Sequence, residues 1–122
     1  MNEDVRSGEW QALYDALHSA LDPPGTEDAY GKGDYWLIDD DYGDITQKLC
    51  VWRPSFLQPS IIHLFQKTLG TYSHWRLMVQ LEVEVDGVLD TSNGFTVYSD
   101  KVEPHWVSDA DVFVDLRKRL HL

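Results

Sequence analysis

The chain has 122 residues, a formal net charge of −11, 43% hydrophobic and 12% aromatic residues, so it reads as one folded domain over residues 1–122 rather than a disordered acidic segment. Its single cysteine, Cys50, excludes an internal disulfide and an all-cysteine metal site, and fits a reducing compartment. The acidic field excludes nucleic acid and anionic membrane as partners, because both need cationic protein surface.

A first helix is expected from about Gly8 to Leu21, with Trp10, Leu13, Leu17 and Leu21 on one face and Tyr14 beside them. Asp22-Pro23-Pro24-Gly25 stops it, and residues 22–33 read as loop. Tyr35-Trp36-Leu37-Ile38 reads as a first strand and Ile45 to Trp52 as a second. Between them Asp39-Asp40-Asp41-Tyr42-Gly43-Asp44 fits a hairpin loop. Pro59 suits the first turn of a second helix that runs to about Leu69, with Ile61, Ile62, Phe65 and Leu69 inward and Gly70 as its C-terminal cap.

Trp75 to Asp86 is the clearest strand. Trp75, Leu77, Val79, Leu81, Val83 and Val85 alternate with polar residues and Met78, so one face is buried and the other wet. Asp86-Gly87 and Asn93-Gly94 both look like turn signals, which leaves Phe95 to Tyr98 as a short fourth strand. Ser108 is expected to cap a last helix through about Leu120, with Val112, Phe113, Leu116 and Leu120 inward and Arg117-Lys118-Arg119 set against the helix dipole. The order α-β-β-α-β-β-α predicts an α+β domain: a mainly antiparallel four-stranded sheet with helices on one face. The two halves share no motif, so no internal repeat is expected.

Charge is uneven along the chain. Residues 1–44 carry 12 acids and 2 bases. Residues 45–81 carry 4 bases (Lys48, Arg53, Lys67, Arg76) and no acid. Residues 82–115 carry 9 acids and only Lys101 as a base. The densest stretch is Asp34 to Asp44, where five carboxylates stand among Tyr35, Trp36 and Tyr42. A run of acids is ordinarily a solvated turn. Aromatics interleaved with acids are also what a contact surface for a basic protein uses, since Tyr and Trp are enriched at binding hot spots. Asp34, Tyr35, Trp36, Asp39, Asp40, Asp41, Tyr42 and Asp44 are therefore the candidate partner-binding residues.

The residues point to no catalytic chemistry, cofactor or metal. A calcium loop counted from Asp39 would need a glutamate at its twelfth position, which is Cys50. Cys50 lies in the apolar run Leu49-Cys50-Val51-Trp52, where a thiol is ordinarily inert. The histidines His18, His63, His74, His105 and His121 form no i, i+4 pair, and His105 is expected to pack on Trp106. Gly31-Lys32-Gly33 is too short for a phosphate loop. Met1 to Arg6 precedes no apolar run and no stretch nears the ~18 residues of a membrane span, so no signal peptide and a soluble, cytoplasmic protein are expected.

In size, charge and α+β order the chain resembles the small acidic immunity proteins of bacterial polymorphic toxin and contact-dependent inhibition systems. That resemblance implies a non-catalytic cytoplasmic inhibitor, monomeric or weakly dimeric, whose acidic surface covers the basic cleft of a toxin, a nuclease being the case it fits. It rests on no motif and transfers no residue role. A structural or adaptor protein acting as a homo-oligomer through its sheet edges is the alternative. An enzyme with an acid-lined pocket ranks behind both.

Overall fold

The computed structural model describes residues 2–21, 35–38, 46–72 and 75–122. In chain order these form α1 (Asn2–Leu21), β1 (Tyr35–Ile38), β2 (Thr46–Val51), a 3-10 turn at Pro54–Phe56, α2 (Pro59–Thr71), β3 (Arg76–Val85), β4 (Val88–Val97), β5 (Val102–His105) and α3 (Asp111–Leu120). The domain is α+β, with a five-stranded sheet in the order β1-β2-β3-β4-β5. Three of its four pairings are antiparallel; β2 and β3 run parallel. The parallel pair follows from α2, whose length carries the chain back to the end of the sheet where β2 began.

Register explains the core. Leu49 pairs with Val79 and Val51 with Leu81, while Leu77 pairs with Val97 and Val79 with Phe95. All of these side chains are buried on one face. Leu13 and Leu17 of α1, Ile62, Phe65 and Leu69 of α2, and Phe113, Leu116 and Leu120 of α3 join them in one cluster. The three helices therefore lie on a single face of the sheet, as the wet-and-dry alternation of β3 predicts. The side chains of Trp10 and Leu21, and the loop over residues 22–33, fall outside the described residues.

Several boundaries differ from the sequence reading. The first helix starts at Asn2, because a polar opening turn carries no apolar period to announce it. Gly70 lies inside α2; the helix runs on to Thr71, and the Tyr72 N–H closes it on the Leu69 carbonyl at 3.1 Å. The residue before α3 is Ala110, not Ser108; the Ser108 hydroxyl instead accepts the Ala110 N–H at 3.2 Å, a turn one step ahead of the helix. Val112 stands 36% exposed, on the flank of α3 rather than inward. Asn93-Gly94 is strand rather than turn: β4 starts at Val88, directly after the two-residue turn Asp86-Gly87, and a fifth strand follows it.

One buried group stands out against this apolar packing. Gln47 is fully buried on the core side of β2, opposite Leu77, and neither its Oε1 nor its Nε2 finds a hydrogen-bond partner among the described residues. A dry amide without partners destabilises by roughly 1–3 kcal/mol. Gln47→Met has similar volume and no such penalty. It is expected to raise the urea midpoint by an amount worth about 1–2 kcal/mol. A fall in stability would mean that the amide is satisfied in solution.

Candidate functional site

Of the eight candidate residues, Asp34, Asp39, Asp40, Asp41, Tyr42 and Asp44 lie outside the described residues. The other two are in β1. Trp36 is described by its backbone, which pairs with Cys50 of β2. Tyr35 is 6% exposed and packs its ring on Phe56, centroids 5.4 Å apart. It belongs to the core, so the contact role assigned from sequence does not hold for Tyr35 while β1 stays docked. Its burial anchors β1, and the register Ile38↔Lys48 sets the two strand ends that the acidic segment 39–45 connects. Lys48 and Arg76 stand at that same end of the sheet. Two of the four bases of the central block therefore stand at the end of the sheet where β1 finishes; Arg53 lies beyond the other end of β2 and Lys67 on α2.

The sheet face away from the helices is covered by no described helix. One row across it runs Cys50, Gln80, Gly94 and His105. Next to that row the Trp52 indole N–H donates to Glu82 Oε1 at 2.9 Å, and the Gln80 amide donates to Glu82 Oε2 at 3.0 Å. Both oxygens of Glu82 are thus held. Trp52 reaches Glu82 only because β2 and β3 are parallel and in register, so no local sequence signal reveals the pair. On the far side, His105 Nε2 and Thr96 Oγ1 lie 3.0 Å apart. His105 is exposed and meets Thr96 rather than Trp106, whose ring packs on Phe95 at 6.2 Å.

At the β4–β5 turn Lys101 pairs with Glu103 at 3.0 Å and sits over the Tyr98 ring at 4.8 Å, while the Tyr98 hydroxyl donates to Glu103 at 3.3 Å. The Lys101 hydrogen bond lowers the Glu103 pKa below the ordinary carboxylate value. Hydrogen bonds from Ser92 do the same for Asp90. Both shifts favour ionised carboxylates, as a charged surface needs, rather than the raised value of a general acid.

Hollows on the described surface include these two. One, of about 620 Å³, runs along α2 and is lined by Ser60, His63, Leu64, Gln66, Lys67 and Ser99. The other, of about 350 Å³, lies between Arg53, Arg119 and Asp115. Neither brings two carboxylates together. Among the described residues no three His, Cys, Asp or Glu side chains are grouped so as to hold a metal ion, and no helix is long and apolar enough to cross a membrane.

Cys50 is 4% exposed on the sheet face away from the helices. Burial, with Glu82 nearby, pushes its thiol from 9.0 up to about 12. Such a thiol is protonated and unreactive at neutral pH. It also links stability to pH. The native thiol keeps its proton through a range in which the unfolded one releases it. Its stabilisation is therefore intact below pH 9 and is lost as pH rises from about 9 to about 12. The slope reaches at most about 1.4 kcal/mol per pH unit. Alkylation of Cys50 is expected to follow global unfolding, and Cys50→Ala should unfold with a shallower alkaline pH dependence than the parent. Rapid labelling of the native protein would contradict the burial.

The fold defines a small α+β domain with a mixed sheet, and neither hollow lined by described residues gathers acids. Comparison with protein-family models, curated proteins and solved structures returns no match.

Proposed function

We propose that the protein is an acidic binding module that neutralises a basic protein partner, in the manner of a small immunity protein occluding a toxin. The observation that carries this reading is the placement of the acidic segment 39–45. It connects two strands of one sheet, anchored by the buried Tyr35 and the register Ile38↔Lys48, and is not an appended tail. Clustered carboxylates steer a cationic partner during encounter. The net charge of −11 acts in the same direction. The edges favour a hetero-partner over strand-paired self-association. Each edge strand has four residues, and β5 carries Pro104 and the Lys101–Glu103 pair beside it, all of which blunt an edge.

The test is affinity capture on a salt gradient, followed by binding kinetics on the polypeptide recovered. A basic protein released only at high salt is expected. The combined change Asp39→Asn, Asp40→Asn, Asp41→Asn should slow its association by roughly tenfold or more and flatten the salt dependence, with a smaller change in dissociation. Unchanged association would remove the acidic segment from the interface.

A further inference from the structure

Among the described residues the large hydrophobics most exposed are Val107, at 74% in the segment after β5, and two neighbours on the β3–β4 hairpin, at the end of the sheet opposite Ile38 and Thr46. Val88 is 68% and Leu89 58% exposed. Pairing of β3 with β2 ends at Leu81, and pairing of β4 with β5 begins at Gly94. Beyond those limits Val83 pairs with Asp90, Glu84 with Leu89 and Val85 with Val88, so the hairpin end is a two-stranded ribbon overhanging the five-stranded sheet.

The overhang is built to hold its shape. Asp86 and Gly87 take φ of 52° and 82°, the two positive values of a turn that matches the right-handed twist of a hairpin. At its base the ladder shifts register between Leu81 and Val83, and the Asp90 carboxylate braces the bulged stretch of β4 opposite. It accepts the Ser92 N–H at 3.0 Å, the Ser92 hydroxyl at 2.7 Å and the Asn93 side-chain amide at 3.2 Å. Val83 and Val85 pack toward the core; Val88 lies opposite Val85 on that face and Leu89 opposite Glu84 on the other, and both are exposed because the ribbon overhangs the sheet. Glu84, Asp86 and Asp90 accompany them, and no Lys or Arg occurs in the sequence between Arg76 and Lys101.

From this arrangement we infer that the tip of the β3–β4 ribbon is a second docking element, which enters a cleft on the protein partner whose apolar walls meet Val88 on one face and Leu89 on the other and whose cationic groups meet Glu84, Asp86 and Asp90. The inference rests on the binding-module reading and adds a site to it. Two exposed aliphatic side chains supply the contact area, and the carboxylates around them determine the charge of what they fit. A ribbon already rigid loses little entropy on docking. A second copy of the chain fits poorly, because it would set Glu84, Asp86 and Asp90 against their own kind.

The probe is a short peptide of alternating lysine and leucine, titrated into isotope-labelled protein while backbone amide shifts are recorded. Perturbations centred on residues 84–89 are expected. Affinity should fall by roughly tenfold or more in the double variant Val88→Ser, Leu89→Ser. Both positions are exposed, and an unchanged thermal midpoint shows the variant to be folded. Binding that maps elsewhere and survives the double substitution overturns the ribbon site and leaves the basic-partner reading standing. A dimer that disappears in the double variant assigns the tip to a second copy and overturns the cationic partner. Failure to bind both this peptide and polylysine overturns the site together with the reading beneath it.

Discussion

Gly94→Ala is expected to destabilise the domain by about 3 kcal/mol, and Gly94→Val by more. Gly94 lies in mid-strand, opposite Gln80 on one side and His105 on the other. A β-carbon there would be driven into the carbonyl oxygen of Val79 and stand 3.2 Å from the carbonyl carbon and 3.3 Å from the Gln80 α-carbon. Those atoms are backbone of the central strand and cannot rotate away. Relief requires β3 and β4 to part at the point where both cross the core. Gly8 is the control. It is helical, and a β-carbon there meets nothing within 4 Å, so Gly8→Ala should stabilise by about 0.5–1 kcal/mol through helix propensity. Urea unfolding of the pair separates the two cases. An alanine at position 94 tolerated within about 0.5 kcal/mol would show the strands free to separate there.

The residue before it has the second large effect. Asn93 is 2% exposed. Its Oδ1 accepts the N–H groups of Val107 at 2.8 Å and Ser108 at 3.0 Å, which fastens the segment leading into α3 to the edge of the core. Asn93→Ala orphans both donors, and each left dry costs about 1–3 kcal/mol; a total of roughly 2–4 kcal/mol is expected. Asn93→Asp keeps an acceptor for both N–H groups but replaces a donor to Asp90 with a like charge, so it should recover part of the loss, and more at acidic pH. Amide exchange at positions 107 and 108 separates this from a general loss of packing. Those two protons should accelerate first in the alanine variant. Uniform acceleration across the domain would instead make Asn93 a packing residue.

These two positions show why the chain was only partly readable. Asn-Gly between apolar runs is a strong turn signal, and Asp86-Gly87 obeys that rule. Asn93-Gly94 carries the same signal and is strand, because its requirements come from neighbours distant in sequence. The glycine admits the Val79 carbonyl, and the asparagine serves amides fourteen and fifteen residues on. Val112 was misplaced for a related reason: an apolar residue at the edge of a helical face is sorted inward or outward only by what packs against it. The acidic segment remains a reading from composition, since Asp34 and Asp39 to Asp44 lie outside the described residues. Tyr35 shows the limit of such a reading. Its neighbours made it look like a contact residue, and its strand made it a core residue.

What the sequence determined by itself was whatever depends on local period and charge. The alternation of Leu77, Val79 and Leu81 specified a half-buried strand, and Phe113, Leu116 and Leu120 specified an amphipathic helix, because burying one face requires that spacing whatever the partner. Composition determined an acidic field with no local cations between Arg76 and Lys101. Contacts between distant stretches of the chain set β2 parallel to β3, bring Trp52 to Glu82, and leave the β3–β4 ribbon overhanging its neighbours with Val88 and Leu89 in solvent. Strand pairing is settled by the free energy of packing the whole sheet against three helices, and that sum is not written in any local stretch of the chain.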